Sequence, residues 1–343
     1  MATTLGDLIE DVEGLLHGHT GQDEQVTYLN GTISSSATSL ALGSIEGLRR
    51  GVIEIDDELL WVDSVDAVSK TVTIAPFGRG YRSTTAASHS DQTKVTMNPL
   101  LPRNRVRRAI NETIEAVGGE LFGVANNTIS YDSGTVAYEL STASFPDLMD
   151  VLAVAWDSET TTDAWVPVRR WKFIDKANAG MFPSGKALEM YDPIRSGTDV
   201  NVTYTKNTVA FSNDITEASL IWIRENYPEY STATDEVVLG IFAESIPGNV
   251  IDLQTFTEIT NLPSSAKDVI TYGAAARLAW AIEGSRTNQT GVSANVLGDQ
   301  YGTNWRGAAN NFGKQLYAFH QQRLQEERDQ LLRTTQPTIH YLR

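Results

Sequence analysis

Cysteine is absent from all 343 residues. Disulfides, thiolate-bound zinc, iron–sulfur clusters and cysteine nucleophiles are excluded with it. Lysine and arginine are scarce, 27 against 43 aspartates and glutamates, which gives a net charge of -16. Gripping nucleic acid by neutralising phosphates needs the opposite balance. No apolar run approaches the roughly 18–20 residues that cross a bilayer, so no membrane partner is expected. The opening Met1–Leu8 has neither a basic segment nor an apolar one, and is not expected to be a secretory signal. The five histidines (17, 19, 89, 320, 340) are scattered apart from the first pair. What is present, 41% hydrophobic and 20% charged residues, fits a folded, acidic protein of the reducing cytoplasm. The length suits two or three domains of ~100–200 residues.

The charge is unevenly spread. Residues 1–25 carry -6, 26–100 carry -2, 101–123 carry +1, 124–262 carry -12 and 263–343 carry +3. The two basic segments read as helix, and the acid lies mainly in segments that read as strand and loop. Such a division suggests one surface for a partner and another that stays solvated.

Residues 4–16 read as a helix, with Thr4 as N-cap and Leu5, Leu8, Ile9, Val12 and Leu16 on one face. From Gln25 to Met97 the period changes to short runs: Val26–Leu29, Ser39–Leu42, Val52–Ile55, Leu59–Val62, Thr71–Ile74 and Lys94–Met97. Their spacing predicts a small barrel or sandwich over 25–98. Pro102 suits the first turn of a second helix reaching about Phe122, with Val106, Ile110, Ile114, Val117 and Leu121 as its stripe. Strand signals then dominate from Asn127 to Leu239, including Val200–Tyr204 and Leu220–Ile223. This region holds Trp156, Trp165, Trp171 and Trp222. Helices over about 264–284 and 303–334 follow. Gly273-Ala-Ala-Ala276 allows a close crossing in the first, while Trp305, Ala309, Phe312, Leu316 and Phe319 form a seam in the second. Gln321–Arg333 is mostly polar and is expected to project beyond its own core. The fold class is therefore α+β: a discontinuous four-helix core (4–16, 99–123, 263–334), two inserted antiparallel β modules (25–98 and 124–262), and an extended tail, 335–343.

Catalytic material is thin. Asp56-Asp57-Glu58 could pair carboxylates or hold a metal, but its setting between two apolar runs reads as an acidic turn. His17-x-His19 lacks a third ligand nearby. Gly78-Arg-Gly80 lacks the Lys-Ser/Thr ending and the following helix of a phosphate loop. No Gly-x-Ser-x-Gly or His-Glu-x-x-His occurs. No enzymatic activity, cofactor or metal is expected.

Two features point to partners instead. Arg103, Arg105, Arg107 and Arg108 crowd the first turns of the second helix, where the helix dipole disfavours positive charge. They either pair with Glu112 and Glu115 on an exposed face or dock on an acidic subunit or partner. The ending Thr-Thr-Gln-Pro-Thr-Ile-His-Tyr-Leu-Arg343 places apolar residues on an extended tail, either a frayed end or an anchor in a partner's groove.

Gly51-Val-Ile-Glu-Ile-Asp-Asp-Glu-Leu-Leu-Trp-Val62 followed by Gly78-Arg-Gly-Tyr-Arg-Ser-Thr-Thr-Ala-Ala-Ser-His89 resembles a small β module that recurs in neck and tail proteins of tailed bacteriophages. Tyr272-Gly-Ala-Ala-Ala-Arg-Leu-Ala-Trp280, Gln321–Arg333 and Pro337-Thr-Ile-His-Tyr341 look like the closing helices and tail of phage head-to-tail adaptors, also called connector or head-completion proteins. The helical likeness covers about a third of the chain and the β module about a fifth; 127–240 has no match. The resemblance implies a homo-oligomeric ring, usually of twelve copies, in the virion neck, after assembly in the host cytoplasm. Its partners would be the portal protein on one side, a stopper or tail proteins on the other, and double-stranded DNA passing through the lumen. It would place Arg323, Arg328, Arg333, Pro337, Ile339, His340, Tyr341, Leu342 and Arg343 against the portal. A tail or baseplate component is the alternative, and a glycan-binding virion protein using the tryptophans and tyrosines of 127–240 is a third.

Overall fold

The computed structural model describes residues 2–20, 25–158, 165–231, 233–242, 250–293 and 302–335; the side chains of 18–20, 283–293, 302–311 and 334–335 lie outside the description. The described residues form an α+β protein with seven α-helices and antiparallel sheets. Two compact units result. The first takes Met1–Thr113, Phe211–Thr255 and Lys267–His320, and the second takes Ile114–Ala210, Phe256–Ala266 and Gln321–Arg343.

Helix α1 (Leu5–Thr20) begins in a reciprocal cap. The Thr4 N–H donates to Asp7 Oδ2 (2.8 Å), and the Asp7 N–H donates to Thr4 Oγ1 (3.3 Å). All five residues of the expected apolar face are buried. The helix runs four residues past the expected end because Gly14 and Gly18 cost only about 1 kcal/mol each inside a helix.

The first unit's β module contains β1 (Gln25–Tyr28), β2 (Ser39–Ala41), β3 (Gly51–Ile55), β4 (Glu58–Asp66), β5 (Thr71–Ile74) and β6 (Lys94–Met97), one for each expected run. They pair in the order β1-β6-β3-β4-β5-β2. The two ends of that order also meet. Leu29 bridges Leu42, the Asn30 N–H donates to Ala41 O, and the Gly43 N–H donates to Tyr28 O, so the sheet closes into a barrel. Closure removes the free edges that an open six-stranded sheet would expose. The interior is aliphatic, with Ile53 and Ile55 from β3 and Leu60 and Val62 from β4 at its centre.

Helix α2 (Arg103–Val117) stops five residues before the expected end, at the helix-breaking pair Gly118-Gly119. The second unit's strands are β7 (Gly123–Ser130), β8 (Ala137–Glu139), β9 (Leu148–Asp157), β10 (Trp165–Pro167), β11 (Trp171–Ile174), β12 (Ala187–Met190) and β13 (Asp199–Lys206). Sheets β10-β9-β13-β7 and β11-β12-β8 share one core, in which Leu188 and Met190 of β12 meet Val151 and Val154 of β9 and Val200 and Val202 of β13. This is a β-sandwich.

Among the described residues the strands end at Lys206, which corrects the expectation of a β-rich region to 262. Residues 215–226 and 235–242 form α3 (Ile215–Asn226) and α4 (Asp235–Phe242), which belong to the first unit. The run Leu220–Ile223 has no telling period at that length. The cap decides it, since Asp214 Oδ1 accepts the Thr216 N–H at 2.8 Å and fixes a helix start.

After α5 (Phe256–Thr260) come α6 (Lys267–Ser293) and α7 (Gly302–Thr335). The close crossing expected at Gly273 is present. A Cβ there would lie 2.5 Å from Thr113 Cγ2 and 2.9 Å from His320 Nδ1, so only glycine lets α6 approach both neighbours. His320 Nδ1–H donates to Val269 O across the same contact (2.9 Å). The expected seam on α7 is only partly internal. Leu316 is buried, Phe312 is half-buried, and Phe319 is 52% exposed with its ring against Tyr272; Trp305 and Ala309 lie outside the described side chains.

Candidate functional site

The barrel's most unusual feature is a carboxylate at its mouth. Alternation along β4 puts Glu58 on the same face as Leu60 and Val62, which line the interior. It is only 1% exposed. A charge so placed survives only if every oxygen lone pair is matched, and here they are. Oε1 accepts Arg79 Nε–H (2.7 Å) and the Gly80 N–H (2.9 Å). Oε2 accepts Arg79 Nη2–H (2.8 Å), the Ala87 N–H (3.1 Å) and His89 Nε2–H (3.0 Å). Burial pushes the Glu58 carboxyl up, but the Arg79, His89, Ala87 and Gly80 bonds outweigh it and hold the group at about 2.

Arg79 is used to its limit. Beyond its two-pronged grip on Glu58 it donates to Ser34 O, Ala37 O and Ala87 O, a set that only a planar guanidinium can serve. His89, 3% exposed, sits between two carboxylates, with Nδ1 2.8 Å from Asp56 Oδ2. Both ring nitrogens face carboxylate oxygens, an arrangement that favours the doubly protonated ring. Burial opposes that charge, but Asp56 and Glu58 together raise the group above its ordinary value. Thr84 adds a further tie, its Oγ1 accepting the Leu59 N–H at 3.0 Å.

The glycines of Gly78-Arg-Gly80 serve this network. A Cβ on Gly78 would stand 2.6 Å from Trp61 O, and Gly80 is left-handed (φ +60) with Thr84 O 2.7 Å from where its Cβ would be. Asp56, at φ 51, makes the expected acidic turn with Asp57 between β3 and β4. What the sequence reading missed is that the third acid of the cluster points inward.

The arginines of α2 divide. Arg103 and Arg107 are turned inward and are corrected as docking residues. Arg103 Nη2 donates to Asp252 Oδ2 (2.7 Å), and its backbone N–H donates to Glu54 Oε1 (2.7 Å), which caps the helix. Arg107 is 8% exposed, with Nη1 3.1 Å from Asp57 Oδ1. Arg105 and Arg108 are exposed; Arg108 pairs with Glu112 at 2.9 Å, one turn along. Glu54 lies in a pocket with Glu13, Asp56 and Asp252. Burial first, then repulsion from Glu13, raises its carboxyl to about 8, against the backbone bond from Arg103.

In the second unit, the stretch 321–335 does not project beyond its own core as expected. Leu324 is buried, Glu327 accepts from Ser265 Oγ (2.6 Å), and Arg328 Nη1 lies 3.5 Å from Glu120. Arg323 pairs with Glu326 (2.8 Å) and, like Arg333, faces solvent. Pro337, Ile339, His340, Tyr341, Leu342 and Arg343 lie outside the described residues. Trp156 and Trp171 pack against the sandwich core, Trp222 packs against the small α3–α4 cluster, and Trp165 is 42% exposed.

His17 is exposed on α1, and the side chain of His19 is outside the description. Among the described residues no group of three histidines or acids is arranged to hold a metal ion, and no helix is long and apolar enough to cross a membrane. Compared with known proteins, the chain matches no protein-family model and no curated protein.

Proposed function

We propose that this chain is a structural head-to-tail adaptor of a tailed bacteriophage, assembling as a dodecameric ring between the portal and the stopper or tail. One observation carries the reading. Glu58, Arg79, Gly80, Ala87 and His89, which lie within the two stretches that carry the β-module resemblance, are tied together around one buried carboxylate, and Thr84 ties the same loop to the Leu59 N–H. Residues so interlocked act as one structural unit, which supports reading the two stretches together as one β module. Helices before and after the barrel, and exposed arginines at 323 and 333 ahead of an apolar ending, agree with an adaptor whose C-terminal side meets the portal. An acidic channel suits DNA that slides through without being gripped.

The test is mass analysis of the purified protein alone and mixed with portal rings, for the full chain and for a chain ending at Thr334. The expected result is a ring that forms on the portal with the full chain and fails without Thr335–Arg343. Binding by neither form would remove the portal assignment and leave a tail component. Binding by both would keep the adaptor and retire the tail as its anchor.

A further inference from the structure

An open surface of the second unit lies beside the end of α7. β7 is an edge strand: among the described residues it pairs with β13 and with no other strand. The Tyr131 N–H donates to Thr198 O, so the odd-numbered residues of β7 bond to β13. The N–H and C=O groups of Val124, Asn126, Thr128 and Ser130 therefore point along the open edge. Of those N–H groups only that of Thr128 is engaged among the described residues, by Asn127 Oδ1 at 2.8 Å. Folded proteins cover or blunt an edge of this length, because it is a template for another strand.

The start of β7 also lines a groove of about 500 Å³, together with Phe122, Leu262, Pro263 and Leu331. A second cavity of about 240 Å³ shares Phe122 and Leu331 with it and adds Leu332. Val124 is 45% exposed and Leu332 48%. Adjoining apolar groups left open to water in a concave surface are what a bound segment covers. The chain carries such a segment to this place. α7 runs on from Leu331 to Thr335, about 6 Å along its axis. Gln336–Arg343 follow, eight residues that span about 26–29 Å when extended. Pro337 does not continue a helix, and Ile339, Tyr341 and Leu342 bring apolar side chains. Tethering decides between occupants, because a segment attached one helical turn from a groove is present there at ~1 mM. A second copy or a free partner at micromolar concentration does not compete with that.

We infer that the groove beside β7 is the docking site of the chain's own segment 336–343, which seats its apolar side chains there and offers its backbone to the open edge of β7. The docking does not rest on the adaptor reading. Its consequence for an adaptor does: the segment would be withheld until a portal competes for it.

The experiment titrates a fluorescein-labelled peptide, Thr335–Arg343, by anisotropy against the full chain and against a chain ending at Thr334. Saturable binding to the shortened chain is expected. The full chain should bind about tenfold more weakly, the factor that a ~1 mM tethered competitor imposes on a peptide of ~100 µM Kd. A full chain carrying Ile339→Asp and Tyr341→Asp, which keeps every described residue, should bind the peptide as the shortened chain does. Leu332→Glu and, separately, Val124→Lys in the shortened chain change exposed side chains of the groove. Each should weaken the peptide about fivefold or more with an unchanged melting curve. Absence of saturable binding to both emptied chains, equal affinity for the full and shortened chains, or parent-like affinity of both groove variants would overturn the site. A full chain that is dimeric or larger in solution, and monomeric when shortened, would overturn docking within one chain and place the segment on a second copy. No readout involves a portal, so failure here is distinct from failure of the adaptor reading.

Discussion

The barrel and the sandwich are both small antiparallel β structures with aliphatic interiors, but they fix their loops by opposite means. In the barrel, the connection through residues 79–89 has one buried organiser, and five donors spread over eleven residues converge on Glu58. In the sandwich the turns are held by separate acids near the surface. Asp132 accepts from Gly134 and Ser196, and Asp192 accepts from the backbone of Arg169 and Arg170 and from the Arg170 side chain, all near the surface. A central buried charge makes the loop all-or-none, because losing one partner strands the others in a low-dielectric interior. Separate surface ties fail one at a time, each at small cost.

The largest expected effect breaks the barrel's organiser. Glu58→Ala leaves Arg79 and His89 buried without their shared partner, which should cost about 3–5 kcal/mol. Urea unfolding followed by tryptophan fluorescence measures it, and a loss below ~1 kcal/mol would show that water replaces the carboxylate and that the network is not the organiser. Acid should act in the same direction. The Glu58 carboxyl is held near 2 in the folded chain against 4.5 as its ordinary value. Its contribution is therefore complete above about 4.5 and is lost as the pH falls through about 2. His89 has the opposite sign: its group is raised, so its share is complete below 6.5 and fades as the pH rises through the folded value.

How much of this was legible in the sequence follows from the range of the forces involved. The six barrel strands were readable because alternation and turn residues are local signals. Helix α1 was readable because Thr4 and Asp7 form a cap within one turn. Helix α3 was not, since Leu220–Ile223 suits strand or helix alike and the deciding cap, Asp214, lies outside that run. The Arg-Gly and Thr-Ala-Ala-Ser-His segment was recognisable as a pattern, but its meaning rests on contacts with a residue 21 to 31 positions away. No periodicity reports that Glu58 faces inward while Asp56 and Asp57 make the turn. The same holds for Arg103 and Arg107, whose partners Asp252 and Asp57 are brought near only by the fold.

An intermediate effect is expected at the barrel's second buried acid, which tests whether all buried carboxylates there stabilise. Glu54 should not. Its folded value of about 8 lies above the ordinary 4.5, so the folded chain holds a proton that the unfolded chain releases, and stability falls as the pH rises from about 4.5 through 8. Glu54→Gln keeps the oxygen that accepts the Arg103 N–H and removes the titration. At pH 9 it should raise stability by on the order of 3 kcal/mol, and near pH 4 it should change little. Melting curves across that range check the sign, and a Gln variant less stable than the parent at pH 9 would place Glu54 among the stabilising charges with Glu58.

The smallest effect belongs to the sandwich and completes the contrast. Asp192 accepts three hydrogen bonds, formally resembling Glu58, but its partner Arg170 is 66% exposed and solvent reaches the pair. Burial pushes the Asp192 carboxyl up slightly while Arg170 and the two backbone donors hold it below its ordinary value. Asp192→Asn retains an acceptor for the backbone N–H groups and forfeits only a screened charge, so a loss of about 1 kcal/mol or less is expected in the same urea assay. A loss as large as that of Glu58→Ala would mean that the number of hydrogen bonds, and not their burial, sets the strength of a carboxylate hub. The contrast between the two β structures would then reduce to where each chain happens to place its acids.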